Sequence, residues 1–174
     1  MSFIGNGTKG TTYAPGYFLA YGDEDVVRET REISQEGAVT VEDGTKYVPM
    51  GTAYPSNDAN AIGITYEDVD VTTGNMPGSV VTKGIVYEDR LAVTGASYDA
   101  VTPETGDNPA EKGWYERSGS AGAYVYTLTT DTTVTEGKTY YAKSDVRLSS
   151  AAKTALAALG FKFIASAPAV TRPY

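Results

Sequence analysis

Three groupings along this chain carry residue types and spacings that could do chemistry. Gly5, Gly7 and Gly10 have the spacing of a dinucleotide-binding turn, where glycines let the backbone approach a pyrophosphate. That chemistry needs a strand before the turn and a helix after it. Residues 1–20 show neither period, so these glycines read as parts of an adaptable arm. Glu67-Asp68-Val69-Asp70, followed by Thr72 and Gly74, offers hard oxygen ligands for a cation. A calcium loop counted from Asp68 needs Gly at its sixth position and Glu at its twelfth, where Thr73 and Ser79 stand. Strand alternation also divides the run between two faces, so a solvated strand end is the better reading.

The third grouping is the carboxylates. The chain has 22 acidic residues, and a pair of them could in principle hydrolyse a glycoside. With so many, chance pairs are expected, and no aromatic-lined cleft follows from their order. There is no histidine and no cysteine. That removes His-based triads, Cys nucleophiles, disulfides and the usual zinc ligands. The expectation is a protein that is not an enzyme, with no catalytic residue, no cofactor and no metal site.

Aromatic residues are the remaining resource. Trp114, Tyr115, Tyr124, Tyr126, Tyr140 and Tyr141 fall close together, and Trp114 is the only tryptophan. They could form the core of a small β unit, or a platform on which sugar rings stack; Trp114, Tyr115, Tyr124 and Tyr126 are the candidate platform. The first 20 residues carry a second set, Phe3, Ile4, Thr8, Thr11, Tyr13, Tyr17 and Phe18, in a Gly- and Thr-rich setting without helical spacing. Either these dock on the chain's own core or they order on a partner.

The net charge is −8, and residues 21–43 contribute −6 of it, from eight acidic and two basic side chains. Nucleic-acid binding draws on Lys and Arg, and no cluster of them exists, so neither a nucleic acid nor an anionic membrane is an expected partner. No apolar run approaches the roughly 18 residues that span a bilayer. The first ten residues have neither a basic region nor a long apolar one, so a signal peptide is not expected and synthesis in a cytoplasm is the simplest reading.

The elements that must position these residues are mostly strands. Val26 to Ile33 leans to strand, and Ala38 to Val41 leads into a turn at Glu42-Asp43-Gly44. Tyr47 to Thr52 and Ala61 to Tyr66 read as strands either side of the turn cluster PSNDAN. Residues 72–78 read as a loop, and Ser79 to Tyr87 as a long strand bent at Gly84. Residues 95–113 are loop-like; short strands are expected at Trp114 to Arg117, Ala123 to Leu128 and Thr139 to Lys143. Residues 149–159 form the one clear helix, with Ser149 as N-cap and Gly160 beyond its end. Ala152, Ala155, Leu156 and Leu159 share its apolar face. Phe161 to Ile164 resumes as a strand with Phe161 and Phe163 on one face. The fold class is mainly β (α+β).

The motifs YVPMGTAY, AIGITYEDVDVTTG, MPGSVVTKGIVYEDRL and RLSSAAKTALAALGFKFI, in that order, resemble the head decoration (capsid cement) proteins of tailed phages with lambda-like heads. Gly63, Asp68, Asp70, Gly84, Glu88 and Asp89 stand where that pattern places such residues. The likeness is interrupted by residues 95–145, whose GWYE…YTLTTDTTVTEGKTYY run is similar to a short module of other phage structural proteins.

The resemblance implies a small barrel- or sandwich-like decoration core (21–94 and 146–174), an extended N-terminal arm (1–20) and an inserted β module (95–145). It also implies a structural protein on the outer surface of the virion: a homotrimer that binds the major capsid protein, its arm ordering on the shell and stabilising the head. The seven arm residues named above would make that contact. The alternative is a surface module that reads a receptor or a host glycan through the insertion.

Overall fold

The computed structural model describes residues 13–20 and 26–168. The described chain is mainly β, with one α-helix near its C-terminal end. It divides into two compact units: Gly95–Val146 is one, and the segments up to Thr94 and from Arg147 onward form the other.

The larger unit contains β1 (Val27–Ile33), β2 (Val39–Thr40), β3 (Lys46–Val48), β4 (Ala53–Tyr54), β5 (Gly63–Thr65), β6 (Val69–Asp70), β7 (Met76–Lys83) and β8 (Ile85–Tyr87). The unit inserted after Thr94 holds β9 (Gly95–Val101), β10 (Tyr115–Ser118), β11 (Val125–Leu128) and β12 (Tyr140–Val146). Helix α1 (Ser150–Ala158) and β13 (Lys162–Ile164) then complete the larger unit.

In the larger unit a sheet of order β1-β7-β5-β4 lies between two apolar clusters. Period-2 geometry explains the arrangement. Val80 and Val81 are neighbours on β7 and point to opposite faces. Val81 joins Phe18, Ile64, Val86, Leu91, Leu156 and Phe161 on one side. Val80 joins Ile33, Val48, Val69 and Val71 on the other. All three residues of β5 are buried, as a strand covered on both faces must be. The second face is closed by the sheet β2-β3-β6, the first by α1 and the parallel pair β13-β8.

Helix α1 starts where the Ser149 side chain accepts a hydrogen bond from the Ala152 N–H at 3.0 Å. It stops at Gly160, whose φ of +97° places it in the left-handed region. Ala152 and Leu156 are buried, whereas Leu159 is 48% exposed and lies outside the core.

Three sequence expectations need correction. Tyr47 to Thr52 is not one strand: the chain turns at Gly51, with φ of +84°, and β4 resumes at Ala53. Met76-Pro77-Gly78 belongs to β7, not to a loop. The missing side chain of Gly78 admits Ile33 and Val69, whose carbons would lie 2.7 and 2.8 Å from an added Cβ. Gly95–Val101 is a seven-residue strand, held by a full antiparallel ladder to β12. Its small and polar residues carry no strand signal of their own; the pairing supplies it.

Candidate functional site

Two places in the chain gather the residues singled out above. The first is where the N-terminal segment meets the larger unit. Gly16 N–H donates to the Tyr66 carbonyl at 2.8 Å, Tyr87 N–H to that of Phe18 at 2.8 Å, and Ala20 N–H to that of Ile85 at 2.8 Å. Leu19 bridges Val86. Residues 18–20 thus extend the main-chain bonding of β8, while Gly16 is held by the residue after β5. Phe18 is fully buried in the larger cluster. Tyr17 lies under Arg90, whose guanidinium carbon is 4.2 Å from the ring centre, and Arg90 also lies 4.9 Å from the Tyr87 ring. Tyr13 stacks on Tyr17 with centroids 4.0 Å apart and is 49% exposed.

This arrangement corrects the reading of residues 1–20 as one arm. Phe18 is a core residue: its ring is removed from water by its own chain and has no surface left for a partner. Tyr17 is tied down by Arg90. Of the three proposed arm residues that are described, Tyr13, Tyr17 and Phe18, only Tyr13 presents a large exposed ring. Phe3, Ile4, Thr8 and Thr11 lie outside the described residues.

The second place is the inserted unit, a sheet of order β11-β10-β12-β9. Its register sorts the aromatics onto two faces. Tyr115 is opposite both Leu128 and Tyr141, Tyr141 is opposite Ala100, and Arg117 is opposite Tyr126. Directly opposed residues share a face. Tyr98 therefore joins Tyr115, Tyr126 and Tyr141 on one side. Its ring stacks on Tyr126 with centroids 4.0 Å apart, and Tyr115 meets it edge-on at 5.2 Å. Arg117 covers Tyr124 at 4.3 Å and Tyr141 at 5.0 Å.

Trp114 and Tyr140 each precede a residue of that face, so they point the other way. They pack at 5.8 Å and are both buried, and the Trp114 N–H donates to the carbonyl of the fully buried Pro109 at 3.0 Å. The four-residue platform is thereby corrected. Trp114 is mini-core, and Tyr115, Tyr124 and Tyr126 stand with Tyr98, Arg117 and Tyr141 on the opposite face. Tyr98 was hidden in a stretch that reads as loop; the alternation Ala96, Tyr98, Ala100 was the signal available.

The buried side of this sheet is closed by a polar latch. Lys138 Nζ lies 2.7 Å from Asp131 Oδ2 and 2.8 Å from Glu116 Oε1. Tyr140 Oη donates to Asp131 Oδ2 at 2.6 Å, and the Thr129 hydroxyl donates to Glu116. These bonds hold both carboxyls below their ordinary range: for Asp131 the Lys138 contact is the main cause and Tyr140 the next, for Glu116 Lys138 and then Thr129. Asp131 and then Glu116 raise Lys138 in turn. All three groups are held charged, as an ion-paired clasp requires. A proton donor or an amine nucleophile would need the opposite shifts.

Glu67-Asp68-Val69-Asp70 does not gather into a ligand set. The Asp68 carboxylate accepts from the Met50 N–H at 2.7 Å, tying it to the turn before β4, and that of Asp70 accepts from the Thr72 N–H at 2.9 Å within its own turn. Among the described residues no group of three or more acidic side chains could hold a metal. No helix of the described chain is long and apolar enough to cross a membrane.

No protein-family model, no curated protein and no solved structure matches this chain.

Proposed function

We propose that this chain is a structural protein of a phage particle that binds the outer surface of the head and stabilises it. The observation that carries the reading is how the four motif blocks come together. They build one continuous unit, and the insertion leaves and returns at adjoining points. Thr94 Oγ1 donates to the Arg147 carbonyl at 3.1 Å, and Asn57 Nδ2 reaches both, at 2.8 and 3.2 Å. A core whose chain could run straight from residue 94 to 147 is what the family resemblance requires.

In this reading the docked segment confines the capsid-binding arm to the residues before Tyr13. Gly16, Phe18 and Arg90 fix the described segment, so a short leading arm would start from a defined point on the surface. Such an arm, with few charges in its sequence, would gain main-chain hydrogen bonds by adding to a neighbouring sheet. Binding only to the assembled shell stabilises it by mass action, and a trimer supplies three arms at once. The partners in this reading are the major capsid protein and two further copies of this chain.

The test is deletion of residues 2–12, which spares Phe18. The truncated protein should fold and fail to bind heads that lack this chain; undiminished binding would remove the arm from the mechanism. Imaging of the virion should place the full chain on the outside of the head in threes.

A second reading rests on the tyrosine face of the insertion. Rings of Tyr98, Tyr115 and Tyr126 beside Arg117 resemble surfaces that stack sugars, so a host surface glycan is its partner. Binding on a glycan array that disappears in Tyr124→Ala and Tyr126→Ala, with the Trp114 fluorescence of the fold intact, would support it; silence of the wild type would end it.

A further inference from the structure

Among the described residues, the longest exposed edge in the larger unit is β1. It pairs with β7 along one side only, and no strand of the described residues pairs with the other. Every residue from Val27 to Glu32 is exposed. The bonding on β7 decides which main-chain groups of β1 are free. Tyr66 N–H donates to the Ser79 carbonyl at 2.9 Å, so Ser79 faces the β5 side. Thr30, opposite Ser79, therefore has its N–H and C=O turned outward, away from β7. By alternation Arg28 and Glu32 are turned outward too, while Glu29 and Arg31 bond to β7.

The charges along this strand are self-complementary. In antiparallel pairing centred on Thr30, Arg28 comes opposite Glu32 of a second copy and Glu29 opposite its Arg31. Thr30 meets Thr30. This register also matches the main-chain groups, because Arg28, Thr30 and Glu32 are the ones that face out. Sliding by one residue brings Arg28 opposite Arg31, or Glu29 opposite Glu32. Sliding by two centres the pair on two arginines or two glutamates. Charges usually protect an edge strand against pairing; here they oppose the neighbouring registers and favour one. The strand itself, Val27–Ile33, carries two arginines and two glutamates and is electrically neutral within a chain of net charge −8.

We propose that β1 is a self-association surface, pairing antiparallel with β1 of a second copy about a twofold axis at Thr30. The interface is isologous, so it closes on itself and does not propagate by itself into a fibre. Existing contacts of the strand are compatible with it. Arg31 pairs with Glu29 of its own strand and Arg28 lies over Tyr66 at 4.4 Å; both are surface contacts that a cross-strand partner can replace. Asn75 Nδ2 donates to Glu32 Oε1 at 3.1 Å and leaves the second carboxylate oxygen open. Tyr54 Oη donates to the Glu32 carbonyl at 3.1 Å, and that oxygen has a second lone pair. The contact is short, so it acts where copies are concentrated, as on a shared surface. It does not depend on the capsid reading.

Sedimentation equilibrium of the full chain, from micromolar to millimolar, tests this. Thr30→Pro removes an outward N–H, which an edge strand tolerates, and places a ring in the pairing groove. It should keep the thermal melt of the wild type and weaken self-association at least about tenfold. Arg31→Glu turns two attractive pairs repulsive and should weaken it by a similar factor, and adding Glu29→Arg should restore it to within about threefold. A wild type that stays monomeric overturns the proposal. So does association that neither Thr30→Pro nor Arg31→Glu weakens, or a charge-swapped double variant that stays as weak as the single one.

Discussion

Arg90 holds Tyr17 in two ways at once: its guanidinium carbon lies 4.2 Å from the ring centre, and Nη1 donates to the Tyr17 carbonyl at 3.0 Å. The first described segment is thereby fastened to the 3-10 turn Glu88–Arg90 that follows β8. Arg90→Ala should lower stability by about 1 kcal/mol. It should also speed proteolysis within residues 13–20 several-fold, read by mass spectrometry of the fragments. Arg90→Lys should recover little, because an ammonium cannot both cover the ring and keep the planar donor geometry.

Phe18 defines where any free arm must end. Its ring is fully buried with Val81, Val86 and Leu156. Phe18→Ala should cost about 3 kcal/mol or more through lost burial and the cavity left behind. Denaturant unfolding followed by far-UV circular dichroism measures it. Tyr13→Ala, at an exposed ring, should stay within about 0.5 kcal/mol of wild type.

The latch of the inserted unit sets a pH dependence. Asp131 and Glu116 both titrate lower when folded than their ordinary values of 3.8 and 4.5. A carboxyl lowered by folding contributes stability above its unfolded value, lost as pH falls through the folded one. Lys138 is raised, so its contribution is complete below its ordinary value of 10.5 and is lost only in strong base. The unit should therefore loosen as pH falls below about 4 and be insensitive between pH 6 and 9. Trp114, the only tryptophan, lies in this unit and its fluorescence reports the change. Lys138→Met should move the acid transition upward.

Gly63 occupies a place that no side chain fits. An added Cβ would lie 2.4 Å from Val80 Cγ1 and 2.5 Å from the Val81 carbonyl oxygen, and the latter is sheet backbone that cannot step aside. Gly63→Ala should destabilise the larger unit by about 1–3 kcal/mol and leave the Trp114 signal unchanged until the chain unfolds. Differential scanning calorimetry gives the magnitude.

The junction at Thr94 and Arg147 predicts that the insertion can be removed. Replacing residues 95–146 by a short Gly-Ser bridge should leave a folded protein, since Asn57 already binds both sides and accepts from the Ser149 N–H at 2.8 Å. Retained amide protection at Val80, Val81 and Ile64 by hydrogen exchange is the expected result.

Where the sequence spoke clearly, local physics was decisive. The helix at 150–158 could be read from Ser149, Gly160 and the spacing of Ala152 and Leu156, because capping and 3.6-residue periodicity act within a few residues. The bend at Gly84 and the buried strand after Pro55 were legible for the same reason. The distinct texture of residues 95–145 followed from composition alone: six of the fourteen tyrosines and the only tryptophan lie there.

What composition and spacing determined, then, was a β-rich chain with one late helix, an aromatic insertion and no histidine or cysteine chemistry. The tertiary structure decided the rest. It buried Phe18 while leaving Tyr13 exposed, put Trp114 and Tyr115 on opposite faces, and made Gly95–Val101 a strand. It also turned Thr30 outward at an open edge. Each of these depends on a partner strand distant in sequence, and side-chain type alone does not say which face or edge a distant strand will cover.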